Sequence, residues 1–183
     1  MNTYKNAIEE YEIEDENGKS KLILAYFGLA VYFTQVLEET FSIMLWTNYI
    51  FDGKNKTKEK VNKIIHSLEN KKTMGTFINE IKQTYSLSET ITIDLKTILE
   101  KRNYLVHKYF KDEIQKTYSD LGRREMLEYF GTFIDDIKKV DKELNEYYSN
   151  HTKKMGLTDE KIEKLVSEMK NSELERETTA NKV

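Results

Sequence analysis

The 183-residue sequence contains no proline, and this absence constrains its fold more than any other feature. Proline and glycine are the residues that most often end helices and shape the tight turns of β structure. Glycine occurs only seven times, and Lys, Glu, Leu and Ile are among the commonest residues. The sequence therefore predicts an all-α protein, and its length fits one domain with a buried core.

Apolar residues recur at helical spacing in several segments of the chain. The predicted helices cover residues 20–51, 57–68, 89–109 and 123–148, with a short helix capped by Thr73 and an amphipathic helix over 157–171. Polar stretches at 84–88 and 111–122 separate them. This pattern predicts an up-and-down bundle of four main helices plus short accessory helices.

Charge and polarity divide the chain into three regions. Residues 1–19 form an acidic N-terminal extension, residues 20–150 the helical bundle, and residues 151–183 an accessory helix with a frayed tail. The helix over 20–51 is apolar over more than one stripe, so we expect it to contact several helices and a second subunit. A homodimer is the expected assembly.

Composition excludes several functional classes. The chain has no cysteine and three histidines, so it offers no thiolate site, and we expect neither a metal nor a cofactor. The acidic N-terminus is the reverse of a secretory signal and no uncharged apolar run reaches about 18 residues, which predicts a cytoplasmic protein without a membrane anchor. The net charge of −3 limits any RNA contact to a local surface, and the lysine-rich stretch 54–72 is the best candidate.

The chemistry-bearing segment is Arg102-Asn103-Tyr104-Leu105-Val106-His107, at the end of the predicted helix 89–109. Arg102 falls within the apolar stripe of that helix, where an unpaired guanidinium is costly, so it must find a partner or border a wet cleft. His107 lies at the edge of the stripe, about 140° around the helix from Arg102. Asn103, four residues before His107, is placed to orient the imidazole.

Arginine and histidine together suit phosphodiester chemistry. A histidine exchanges protons near neutral pH, and an arginine fork holds a phosphate and its transition-state charge. RNA supplies its own nucleophile in the 2′-hydroxyl. Two histidines from two subunits therefore suffice as base and acid without a metal.

The segment resembles the ribonuclease motif of the HEPN superfamily, which has an arginine, a polar residue after it, and a histidine four to six residues further on. Tyr26-Phe27-Gly28-Leu29-Ala30 and Gln35-Val36-Leu37-Glu38 are also similar to the first long helix of HEPN-like proteins. The resemblance covers roughly residues 20–145. It implies a HEPN-type bundle that cleaves RNA at a dimer cleft, with Arg102, Asn103 and His107 as catalytic residues, as a toxin or abortive-infection effector.

The resemblance extends to His107-Lys108-Tyr109, which matches HEPN toxins that are paired with nucleotidyltransferase antitoxins. It implies that Tyr109 contacts RNA or is modified by AMP, and that Lys108 contacts RNA. It also implies an antitoxin or nucleotidyltransferase partner. The acidic extension, the lysine-rich segment and the extra C-terminal helix depart from the minimal toxins.

Two other functions stay open at this point. One is a non-catalytic HEPN module that binds a nucleotide or a protein. The other is a helical adaptor in which Arg102 pairs with a buried acid such as Glu38 or Glu39. His66, His151 and the Asp135-Asp136 pair are interpreted as surface residues and are assigned no chemistry.

Overall fold

A computed structural model describes residues 2–51, 59 and 73–180. These residues form helices α1 (Thr3–Ile13), α2 (Glu16–Phe51), α3 (Met74–Thr84), α4 (Glu89–His107) and α5 (Tyr109–Glu113), a 3-10 turn (Ile114–Tyr118), and helices α6 (Asp120–Lys154) and α7 (Asp159–Ala180). No strand occurs in these ranges. The predicted all-α bundle is confirmed, and the predicted helix over 57–68 and the lysine-rich stretch lie outside the described residues apart from Glu59.

The two longest helices, α2 and α6, pack along each other and supply most of the core. α6 buries a stripe at helical spacing that includes Met126, Phe130, Ile134 and Ile137. α3 packs on α2, and α4 packs on both long helices. Thr73 caps α3 as predicted, since its hydroxyl accepts a hydrogen bond from the Thr76 amide.

Within the predicted acidic extension 1–19, helix α1 packs against the bundle, so this part of the predicted division is corrected. Thr3, Ala7 and Tyr11 of α1 are buried against α6. Asp135 accepts hydrogen bonds from both the amide and the hydroxyl of Thr3. The prediction missed this docking because the acids of the segment lie on the outer face of α1 and conceal a short buried stripe.

Three other boundaries differ from the prediction. The motif helix ends at His107 instead of Tyr109, and the polar stretch 111–122 is occupied by α5 and the 3-10 turn. α6 extends past residue 150 to Lys154, which moves the end of the bundle. The tail predicted to fray beyond Glu173 continues as helix to Ala180, with no buried residue anywhere in α7.

α2 also has the length and apolar composition of a membrane-crossing segment over Glu16–Tyr49. The central helix of a bundle meets the same criterion, and α2 buries one side against α6. Its other side keeps Leu24, Leu29 and Tyr32 exposed. The helix therefore presents apolar surface beyond what the bundle itself covers.

Candidate active site at the end of α4

The motif lies on the last two turns of α4, where that helix runs antiparallel to α2. Arg102 faces Glu38 of α2, and the rings of Phe110 and Phe27 lie 4.9 Å apart further along. Residue numbers therefore fall along α2 as they rise along α4. With about 1.5 Å of rise per residue in each helix, His107 lies level with the turn of α2 around Val31 to Phe33.

Arg102 is held by two neighbours and is not fully satisfied by them. Its Nη2 lies 3.5 Å from Glu38 Oε1, and its Nη1 donates a hydrogen bond of 3.2 Å to Asn103 Oδ1. The Nε of Arg102 and the Oε1 of Glu38 are buried without a hydrogen-bond partner. The ion pair is thus a loose contact, and the guanidinium keeps one buried N–H donor that no described acceptor satisfies.

The burial of this pair is intermediate. Each of the two side chains is 28% exposed as a whole, although the Oε1 of Glu38 and the Nε of Arg102 are themselves buried. A salt bridge of this kind differs from the buried pair that the adaptor interpretation requires, although its partner, Glu38, is the one that interpretation named. Arg102 belongs to the apolar stripe of α4, but its side chain lies at the edge of the core and not in its interior.

His107 is exposed at the C-terminal end of α4. No hydrogen bond or ion pair joins His107 to Arg102 among the described residues. The single chain therefore places the two side chains at one end of α4 without bringing them into contact.

Asn103 does not orient His107 in this structure. Its amide oxygen accepts from Arg102, and both Asn103 and His107 are exposed. The position of Asn103 on the helix allows its side chain to contact either His107 or Arg102. The guanidinium of Arg102 is charged and is therefore the stronger hydrogen-bond donor. The side chain of Asn103 therefore helps to fix the arginine.

Tyr109 lies in the core, where its side chain is not available to RNA or to a modifying enzyme. Its residue exposure is 3%, and its ring packs against Tyr129 at 5.0 Å and Phe130 at 4.9 Å between centroids. Burial, followed by the charge of Glu113, raises the pKa of the Tyr109 phenol. The role that the resemblance implies for Tyr109 needs an exposed hydroxyl, so we exclude Tyr109 from the candidate site. Lys108, the preceding residue, is exposed and remains in it.

A cluster of three tyrosines, Tyr104, Tyr109 and Tyr129, packs beneath the motif and was not predicted from the sequence. Tyr104 packs edge-on against Tyr109 and Tyr129 and donates a hydrogen bond to Glu113. Burial and the nearby Glu113 carboxylate raise the pKa of Tyr104. The sequence signal for this cluster was the pair of tyrosines at 104 and 109, which lie on two consecutive helices. Both rings pack against Tyr129 and so hold the turn after His107 against α6.

Exposed apolar side chains occur on both helices. Val106 is 41% exposed on α4, and Leu24 and Tyr32 are exposed on α2. A neighbouring groove of about 420 Å³ is lined by Ile23, Leu24, Phe110, Ile114 and Tyr118 among others, and no motif residue lines it. The motif itself therefore sits on an open, partly apolar surface and not in an enclosed pocket of the single chain.

The other residues considered from the sequence lie apart from the motif or outside the described residues. Asp135 binds Thr3, and Asp136 pairs with Lys101 at 2.7 Å, so the adjacent aspartates serve two separate contacts. His151 is half-buried near the end of α6, and His66 lies outside the described residues. No cluster of three or more potential metal ligands occurs in the part of the chain that the structure describes.

Comparison of the chain with protein-family models, with curated proteins and with solved structures found no match in any of the three.

Proposed function

We propose that this protein is a metal-independent endoribonuclease of the HEPN type, acting at a cleft that two copies form together. The observation that carries the proposal is the state of Arg102: a guanidinium at the rim of the core, loosely paired, with its Nε unsatisfied and an exposed histidine at the end of the same helix. A purely structural arginine is expected to saturate its donors.

The proposed reaction is a transesterification within RNA. His107 of one copy removes the proton from a 2′-hydroxyl, the 2′-oxygen forms a bond to phosphorus, and the bond from phosphorus to the 5′-oxygen breaks. His107 of the second copy donates a proton to the leaving 5′-oxygen. The products are a 2′,3′-cyclic phosphate and a 5′-hydroxyl, so atoms and charge balance without a metal or an added nucleophile.

Arg102 stabilises the charge that develops on the phosphate oxygens in this reaction. Asn103 restrains the guanidinium, and Lys108 contacts the RNA backbone beside His107. A second copy is needed because one chain supplies a single exposed histidine at this end of α4. Val106, 41% exposed within the motif, is an apolar side chain of the kind that a partner copy would cover.

We propose a cytoplasmic toxin or abortive-infection effector as the biological setting, with an antitoxin or nucleotidyltransferase as its controlling partner. This setting rests on the motif resemblance. With Tyr109 buried, control by a partner would act through occlusion of the Arg102–His107 surface and not through a tyrosine hydroxyl.

The chemistry is tested with a matched pair of oligonucleotides in the presence of a chelator. An RNA and its fully 2′-deoxy counterpart, identical in sequence, are incubated with the purified protein. We expect cleavage of the RNA alone, with cyclic-phosphate ends identified by mass spectrometry. Cleavage of both strands, or loss of cleavage on chelation, would contradict the mechanism, and binding without cleavage would favour the non-catalytic HEPN module.

A helical adaptor without nucleotide chemistry is the second candidate, because Arg102 does contact Glu38. In that function the ion pair joins α4 to α2 and the surface around His107 binds a protein. The strength of the Arg102–Glu38 coupling separates the two functions.

A further inference from the structure

The C-terminal helix α7 carries an apolar stripe that nothing in the described chain covers. Ile162, Leu165, Val166 and Met169 lie at helical spacing on one side, and all four are exposed. A solitary 22-residue helix with such a stripe gains little stability from its own hydrogen bonds and is normally completed by packing. We therefore expect another surface to pack against this stripe.

The charges beside the stripe indicate the occupant. Lys161 and Glu168 lie on one border, seven residues apart, and Glu163 and Lys170 lie on the other border, also seven apart. Each border thus bears one acid and one base, in opposite orders along the helix. Lys161, Glu163 and Lys170 make no ion pair within the described residues, and Glu168 is paired only with Lys164, at 3.8 Å.

We propose that α7 pairs with α7 of a second copy, antiparallel, about a twofold axis near Leu165 and Val166. A twofold antiparallel pair sets each border against the same border of the other copy, run in reverse. Lys161 then faces Glu168 of the second copy, and Glu163 faces Lys170 of the second copy. The twofold axis repeats each of these contacts once. Both borders of each of the two helices therefore face opposite charges.

The apolar residues and the helix ends fit the same arrangement. Ile162 packs near Met169 of the second copy, and Leu165 packs near Val166 of the second copy. The two helix dipoles oppose each other, which favours the pairing. Glu173, which approaches Asp159 of the second copy, is already neutralised by the guanidinium fork of Arg176.

A parallel pair is a poorer fit for this sequence. With Ile162 and Met169 at heptad position a and Leu165 at d, position g of one helix faces the following e position of the other. Lys161, at position g, would then face Val166 of the second copy instead of an acid, and the complementary charge pairs of the antiparallel arrangement would be lost. Four apolar side chains per copy make a small interface, so we expect association at micromolar or higher concentration, strengthened wherever the bundles also touch.

This contact is separate from the end of α4, where the ribonuclease proposal also places a second copy. Sedimentation equilibrium of the full chain, compared between variants of α7, tests the α7 contact by itself. We expect Leu165→Lys to raise the dimer dissociation constant at least about tenfold, because it places a charge in the stripe of both copies. Leu174→Lys is the matched control: it alters an exposed leucine on another side of the same helix and leaves association unchanged. α7 buries no residue, so neither variant disturbs folding.

Charge exchange tests the orientation. Glu163→Lys sets lysine against Lys170 of the second copy and should weaken association about two- to tenfold. The double variant Glu163→Lys/Lys170→Glu has the wild-type net charge and should restore it. Failure of the double variant to recover, or a chain that stays monomeric at every concentration, overturns the proposal.

Disulfide trapping gives a second readout, since the chain has no cysteine of its own. A mixture of Ile162→Cys and Met169→Cys proteins should form a mixed disulfide on mild oxidation, whereas each protein alone should not cross-link. Cross-linking of each variant with itself would mean a parallel pair and would contradict the proposal. Dimerisation unaffected by Leu165→Lys would place the interface elsewhere and would also contradict it.

Discussion

Arg102 and Glu38 face each other across 3.5 Å between α4 and α2, and each side chain is 28% exposed. The contact is too long for a well-formed charge-assisted hydrogen bond, and it leaves the Nε of Arg102 without a partner. A pair of this kind anchors the guanidinium without saturating it. The guanidinium therefore keeps unused hydrogen-bonding capacity beside a carboxylate that it does not fully engage.

The coupling energy of this pair distinguishes an anion site from a structural clamp. We expect a double-mutant cycle with Glu38→Gln and Arg102→Gln to give at most about 1 kcal/mol in the free energy of unfolding, as for exposed pairs. Urea denaturation of the four proteins measures it. A coupling near the cost of breaking a buried pair, about 3–5 kcal/mol, would favour the helical adaptor instead.

Glu38 should also compete with anions for Arg102. Removal of its charge by Glu38→Gln is expected to strengthen binding of a non-cleavable 2′-deoxy oligonucleotide about two- to tenfold, since repulsion and competition are relieved together. Fluorescence anisotropy at fixed salt measures the affinity. Glu39→Gln, on the exposed face of α2, is the control with the same charge change, and an equal gain in both variants would refute a specific role for Glu38.

Tyr109 should behave as a core residue. Tyr109→Phe is expected to alter the unfolding free energy by less than about 1.5 kcal/mol, whereas Tyr109→Ala should cost about 3–5 kcal/mol by leaving a cavity beside Tyr129 and Phe130. Nitration of the native protein with peptide mapping provides the exposure control. Tyr118, which is 83% exposed, should react before Tyr109. Early nitration of Tyr109 would restore the modification hypothesis.

Much of the fold follows from sequence periodicity because it arises from local burial patterns. The apolar spacing of α3 and α6 predicted their buried faces correctly, and Thr73 identified a helix start. In α4 the predicted stripe is buried at Ile91, Leu95, Ile98 and Leu105, whereas Val106 is exposed. The docking of α1 was not predictable from its acidic composition, since it depends on Asp135 and on the narrow space beside Gly131, which are more than a hundred residues away. Spacing placed Arg102 and His107 on one helix, but only the tertiary structure shows that Glu38 and Asn103 hold the arginine.

The close approach of α1 to α6 predicts opposite effects for two glycine substitutions. A Cβ at Gly131 would lie 2.6 Å from the backbone of Tyr4, so Gly131→Ala should destabilise the protein and displace α1. Gly28, in the exposed face of α2, has no neighbour within 4 Å of such a Cβ, so Gly28→Ala should stabilise it by about 0.5–1 kcal/mol. Thermal unfolding compares the two. Equal effects would contradict the tight packing at Gly131.

The ion pairs around α1 predict a loss of stability in acid. Hydrogen bonds from Arg124 lower the pKa of Glu12 and, together with one from Tyr11, that of Asp120. The native state therefore binds these protons less readily than the unfolded chain. The resulting stability is present above the ordinary carboxyl values of 4.5 and 3.8 and is lost as pH falls through the lowered values.

Urea midpoints measured between pH 6 and about pH 2 test this dependence. The double variant Glu12→Gln/Asp120→Asn should show a shallower decline than wild type, because it lacks both titrating groups. An unchanged slope in the variant would show that other carboxyl groups dominate the acid transition.

The most direct test of the proposed function compares cleavage of total tRNA and mRNA, with a chelator present, by the wild-type protein, Arg102→Ala, His107→Ala and Lys96→Ala. Lys96 is an exposed cation on α4, well away from the motif, and serves as the matched control. We expect cyclic-phosphate products from the wild type and from Lys96→Ala, and loss of cleavage by at least about a hundredfold in Arg102→Ala and His107→Ala. Equal activity in all four proteins, or none in any of them, would contradict it.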